Sequence, residues 1–209
     1  KGAFAAGDVE LAKSFADQAV IAIENARLFD ETQNALARQT ASADVLRVIS
    51  QAPDNTTPVF DAIVSAAPRL VSCDFAVAIR ADESAWWQVA VATPKGLQTG
   101  ITSTRRSLDP EDNLQARVLL SRETQHIDDL DRDGLPALVH RLRKERGYQV
   151  YLGVPMLQGD TLLGGLTFIR KTKTPFSPED IAVAESFADQ AVIAIENVRL
   201  FTEAEAARK

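Results

Sequence analysis

Two histidines, His126 and His140, one cysteine, Cys73, and four clustered carboxylates, Asp128, Asp129, Asp131 and Asp133, are the side chains best able to hold a metal or move a proton. Their spacing supports neither task. A structural zinc site needs Cys and His ligands in close pairs, and none occur. The full calcium-loop pattern, glycine and terminal glutamate together, is not met, and the aspartates read as a polar connection before a helix. No Ser-His-Asp arrangement, phosphate-cradling glycine loop or paired-carboxylate site stands out. The sequence therefore predicts no catalytic residue and no metal site, so this chain should not be an enzyme by itself. One cysteine also rules out an intrachain disulfide, which fits a reducing, cytoplasmic setting.

Other side chains could bind without reacting. Trp86, Trp87, Tyr148 and Tyr151 could stack on a planar ligand or fill a core. His126 alternates with Ile127 in a short strand, so it points away from the core or toward a cavity. Arg141, Arg143, Lys144 and Arg146 cluster on one helix, which reads as a solvated face. The net charge of -6 over 209 residues argues against a nucleic-acid partner. No apolar run approaches the ~18 residues that cross a bilayer, and no signal peptide is visible, so no direct membrane contact is expected.

The elements that would position these groups follow from pattern. Asp8 to Ala52 holds neither Gly nor Pro and is rich in helix formers. As one helix it would be about 67 Å long at ~1.5 Å per residue. Thr57-Pro58 opens a second helix with Phe60, Ile63, Val64, Ala67, Leu70 and Val71 on one side. Phe75 to Arg80 and Trp86 to Ala92 read as a hairpin turning at Asp82-Glu83-Ser84. Thr93 to Pro110 is irregular, Glu111 to Ser121 helical with Asp109-Pro110 as its start, Thr124 to Asp129 a short strand, and Leu135 to Arg146 a helix ended by Gly147. Tyr148 to Leu157 and Leu162 to Arg170 form a second hairpin, apolar enough to be covered on both faces. Ser177 caps the last helix, with Pro178 at its first position and Glu179 and Asp180 in its first turn. The order predicts an α+β fold: an antiparallel sheet of about five to six strands with helices on both faces, preceded by a long N-terminal helix.

One stretch occurs twice. Ser14 to Asn25 reads SFADQAVIAIEN, and the same twelve residues recur from Ser186 to Asn197, 172 positions on. The C-terminal copy sits among further motifs: Val154-Pro155-Met156, Gly159, Gly164-Gly165-Leu166, Pro175-Phe176-Ser177 and Ala194-Ile195-Glu196-Asn197-Val198-Arg199-Leu200. As a set, from about Leu46 to Phe201, these resemble a GAF domain of the kind repeated in bacterial sensor histidine kinases and nucleotide cyclases. The resemblance implies a domain at 53–201, a connecting helix at 1–52 that includes the last helix of a preceding GAF-like module, and the start of another connecting helix at 202–209. The chain then reads as an excerpt of a tandem array.

The resemblance also implies the range of functions. The first expectation is a sensory or regulatory module of a multidomain bacterial signalling protein, a sensor histidine kinase, that couples ligand binding or dimer packing to an effector through long helices. The alternatives are a small-molecule or cyclic-nucleotide receptor of a nucleotide cyclase, and a ligand-free dimerisation or spacer module. The Asn-Lys-x-x-x-Phe-x-x-x-Asp-Glu run of cyclic-nucleotide binders is absent, and Cys73 lacks the neighbouring histidine of bilin-attaching members. No cofactor is named by these residues. A receptor pocket would lie on the sheet face under Thr93 to Arg146, with Arg80, Trp86, His126 and Tyr151 as contacts. A homodimer is expected through the N-terminal helix. Ile21, Asn25, Leu28, Thr32, Ala35, Gln39, Ser42, Leu46 and Ile49 follow coiled-coil steps of four and three. Phe15, Ala19, Val20, Ile23 and Leu28 form the stripe expected to be buried against a partner chain.

Overall fold

The computed structural model describes residues 6–51, 55–98 and 104–208. The chain divides into two compact units, Lys1–Thr40 and Ala41–Lys209. Through the first runs α1 (Ala6–Gln51), a continuous helix. Every residue from Glu10 to Phe29 is exposed on it, including Phe15, Ala19, Val20, Ile23 and Leu28. The side chains of Ala35, Gln39, Ser42, Leu46 and Ile49 lie outside the described residues.

The second unit holds the sheet. Its elements are α2 (Thr57–Leu70), β1 (Phe75–Ala81), β2 (Ala85–Thr93), β3 (Gly96–Gln98), β4 (Arg106–Ser107), α3 (Leu114–Ser121), β5 (Gln125–Ile127), α4 (Ala137–Arg146), β6 (Val150–Gln158), β7 (Thr161–Arg170) and α5 (Pro178–Ala207). The strands pair in the order β3-β2-β1-β7-β6-β5, with β4 also on β2, and every pairing is antiparallel. Seven strands rather than five or six arise because the stretch read as irregular contributes β3 and β4. Both are too short to show a period. Residues 99–103 of that stretch lie outside the described residues.

Alternation along the central strands builds two apolar layers. Ala76, Ala78, Ala90 and Ala92 put small side chains on one face. There α2 and α5 pack through Phe60, Ile63, Val64, Phe187, Ala188 and Ala191, with Leu152, Met156 and Phe168 beneath them. On the other face Leu114, Val118, Leu130 and Val139 from α3, α4 and their linker meet Tyr148, Tyr151 and Ile169. A third group, Val77, Ile79, Ala81, Trp86 and Leu119, fills the β1–β2 end.

Local chemistry sets the ends of the elements. Asp82 turns the first hairpin by accepting the Ser84 and Ala85 N–H groups, both at 3.0 Å. The helix expected from Glu111 begins at Leu114, because the Asn113 side chain accepts the Ala116 N–H at 2.8 Å. A cap at Asn113 leaves Asp109 to Asp112 as a turn. Gly147, at φ 74°, ends α4 as expected.

Candidate functional site

The four residues expected to share a pocket do not converge. Trp86 and Tyr151 point to the α3/α4 face but sit in different apolar groups. Arg80 and His126 belong to the opposite face by strand alternation, since Arg80 follows Ala78 by two and His126 pairs with Leu152. Arg80 Nε donates to the Leu163 carbonyl at 3.2 Å, and burial lowers its pKa.

Each of the other three is held by its surroundings. Trp86 is 2% exposed, and the Arg106 guanidinium lies 5.3 Å from its ring centre. Its Nε1–H has no partner among the described residues. Tyr151 is also 2% exposed, its hydroxyl 3.5 Å from Thr167 Oγ1, and burial pushes its pKa well above the usual phenol range. A Cβ at Gly153 would stand 2.6 Å from the Tyr151 hydroxyl and 2.6 Å from Val118 Cγ2, so the glycine makes room for the tyrosine. The cavity that Tyr151 lines has a volume of only about 40 Å³. That is close to the space one water occupies in the liquid. These aromatics fill the sheet face on which a receptor pocket was expected.

A larger cavity, about 540 Å³, opens at the β1–β2 end, where Asp82, Glu83, Arg122 and Asp160 surround Leu108, Leu119 and Leu162. Asp82 is paired with Arg105, which together with the turn N–H groups holds its carboxyl well below the usual range. Leu108, Leu119 and Arg122 belong to the stretch expected to cover a receptor pocket, but none of the four residues expected as contacts lines this cavity. Its residues come from β1, α3 and the β6–β7 turn, and no periodicity joins them. Among the described residues no group of three or more His, Cys, Asp or Glu side chains gathers as a metal site. Cys73 is buried and its thiol is pushed up to about 12 by desolvation.

The densest polar structure lies where the sheet hands over to α5. Arg170, 6% exposed at the end of β7, donates to the carbonyls of Ser72 (2.9 Å), Val71 (2.9 Å), Thr174 (3.2 Å) and Pro175 (2.6 Å), and to Asp180 Oδ2 at 2.8 Å. Asp180 also accepts the Ser177 N–H, while Ser177 Oγ accepts the Asp180 N–H. Ser177 is the cap expected for that start, and the structure adds the return bond from Asp180 that makes the cap reciprocal. The Arg170 guanidinium stacks 4.1 Å over Phe176. On Phe176's other contacts, His126 Nε2 accepts its N–H at 3.2 Å and the two rings meet edge to face at 5.8 Å. Burial lowers the His126 pKa, opposed by Asp128 and reinforced by Arg170. His126 thus serves the start of α5. Phe176 and Ser177 were quoted in the sequence motifs, but the part of Arg170 was missed.

α5 then packs on the sheet through Ala184, Phe187, Ala188, Gln190, Ala191, Ala194 and Ile195, and no residue after Ile195 is buried. The fold and this handover describe one class of protein, and comparison confirms it. The GAF domain family model matches residues 55–195, so the chain belongs to the GAF domain family. No curated protein matches the chain. Among solved structures, the GAF domain of a phosphoenolpyruvate-protein phosphotransferase from Coxiella burnetii is similar at 18% identity and TM-score 0.65, covering 81% of this chain and 99% of that one. The GAF domain of a two-component sensor histidine kinase from Bacillus halodurans is similar at 20% identity and TM-score 0.54, over 68% and 97%. A phycoerythrobilin-bound GAF domain from a cyanobacterial phytochrome is similar at 15% identity and TM-score 0.64, over 79% and 97%.

Proposed function

We propose that this chain is a regulatory GAF module of a multidomain bacterial signalling protein, with a sensor histidine kinase as its parent, that relays conformational change along α5. One observation carries the reading. The first half of α5 is fixed to the sheet by Arg170 and the Ser177–Asp180 cap, and the same helix continues past Ile195 to Ala207 with no buried residue. A shift in the sheet or in its β5 edge is then passed to the helix as a rotation or translation of its free end. In this reading the domain occupies 53–201, flanked by connecting helices, it works in the cytoplasm, and any catalysis belongs to another part of the parent. No described helix is long and apolar enough to cross a membrane.

The test is a fusion of the chain to a histidine kinase core, with single residues inserted one at a time after Ala207. A relay helix makes kinase output rise and fall with a period of about 3.6 residues. Output that declines smoothly with insertion length would mark α5 as a passive tether.

A second reading, small-molecule binding, is favoured by the cavity of about 540 Å³ at the β1–β2 end, a size that suits a metabolite. A metabolite panel that raises the melting temperature of the wild-type chain but not of Leu119→Trp would place a ligand there. Equal shifts in both would remove this reading.

A further inference from the structure

Three chain reversals meet at one end of the sheet. β1 and β7 stay paired as far as Arg80 and Gly164, so the β1–β2 turn and the β6–β7 turn beyond them stand side by side. α3 ends at the same corner, where Arg122 takes the left-handed conformation at φ 59° and its N–H bonds the Val118 carbonyl at 3.0 Å. The cavity of about 540 Å³ lies between the three reversals, and each sets one exposed charge on its lining: Glu83, Asp160 and Arg122. None of these three has an ion-pair partner among the described residues. Asp82, by contrast, is already taken by Arg105. The rest of the lining is apolar. Leu119 is buried in the same group as Trp86, with Leu108 and Leu162 packed against that group. Leu120 also lines the cavity and is 51% exposed, an apolar side chain that the fold leaves in water.

We propose that this cavity binds a free α-amino acid with an apolar side chain. The proposal rests on the small-molecule reading above and names its ligand class. Three kinds of lining call for three kinds of group on one small molecule. Arg122 pairs with a carboxylate through its planar fork of donors. Glu83 and Asp160 accept from an ammonium. Leu108, Leu119, Leu120 and Leu162 take up an aliphatic or aromatic side chain, whose removal from water favours binding. Charge separates this class from others of similar size. A phosphorylated ligand would bring two or more negative charges to one guanidinium and two carboxylates. A simple amine would suit the carboxylates but leave Arg122 facing a like charge. An apolar α-amino acid carries both signs at one end and a hydrocarbon branch at the other, so each part of the lining finds its complement.

Calorimetric titration of the full chain with L-leucine tests the assignment. Leucine should bind, and glycine, which lacks the side chain, should bind about tenfold more weakly or worse. Leucinamide and N-acetyl-leucine each lack one charge and should each lose about tenfold against leucine. Arg122→Asn, chosen because asparagine tolerates the left-handed backbone, should weaken leucine about tenfold and leave leucinamide unchanged. Glu83→Gln combined with Asp160→Asn should weaken leucine similarly and leave N-acetyl-leucine unchanged. Leucinamide as tight as leucine, or leucine bound by Arg122→Asn as by wild type, overturns the assignment. If leucine and phenylalanine do not bind, but a panel compound of another class raises the melting temperature of wild type and not of Leu119→Trp, the cavity is a receptor site and the amino-acid class is wrong. If neither these amino acids nor any panel compound binds wild type, the small-molecule reading falls with it.

Discussion

Arg170 spends all five of its N–H groups on four carbonyls and one carboxylate, drawn from segments nearly a hundred positions apart. A lysine has three donors and no planar fork. Arg170→Lys should therefore cost about 2 kcal/mol, and Arg170→Met, which also strands Asp180, about 3–5 kcal/mol, read from urea unfolding midpoints. Its neighbour His126 gives a pH dependence. The folded state prefers the neutral imidazole, because burial penalises the charge and Arg170 adds to that against Asp128, and because neutral Nε2 accepts the Phe176 N–H. The folded pKa lies below the unfolded value, so the unfolded chain binds the extra proton first. Stability is full above the unfolded pKa of about 6.5 and falls as pH drops through it toward the folded value. His126→Asn, which can still accept, should flatten that part of the stability–pH curve. An unchanged slope would mean that another group titrates. Neither role was legible in the sequence. A strand-end arginine and a lone histidine look alike whether solvated or buried, and only the fold brings their partners together.

At the scale of elements the sequence was more informative. The start of α5 was readable because Ser177, Pro178, Glu179 and Asp180 each act locally, through cap, fixed φ and charge. Ser177→Ala should cost about 1 kcal/mol and shorten the ordered helix, measurable by circular dichroism and amide exchange at its first turn. The β6–β7 hairpin was readable from its apolar runs, but the reason for its glycines was not. A Cβ at Gly164 would stand 2.0 Å from the Ile79 carbonyl on the neighbouring strand, and the backbone sits at φ 151°. Gly164→Ala should cost roughly 3 kcal/mol, through strain and through parting β1 from β7. A midpoint within experimental error of wild type would contradict that geometry. The four candidate contacts were not legible as separate groups for a related reason. Alternation put Trp86 and Tyr151 on one face, but whether that face is hollow or filled depends on α3 and α4, whose packing has no signature of its own.

Among the described residues of the chain, the buried members of all three apolar groups begin at Val59. The domain thus carries its own core, and residues 55–208 alone should fold with a cooperative melt close to that of the full chain. A melt that loses cooperativity after removal of 1–54 would show that the domain depends on the preceding helix. At this scale the family was legible in the C-terminal motifs, which lie within or beside the family match at 55–195, because each acts through local turns, caps and strand ends.

The duplication has a consequence for assembly. A newly made chain presents the α1 copy before the sheet exists, and that copy offers the sheet the same twelve residues as α5. Surface complementarity alone gives no preference between them. What differs lies just upstream: Ser177-Pro178-Glu179 in one copy, Ala5-Ala6-Gly7 in the other. The Arg170 network and the Ser177 cap accompany the α5 copy, so that copy arrives with its own anchor to this sheet. Disabling them would leave two equivalent claimants for one groove, and exchange of helices between copies is the error such a chain would make on refolding.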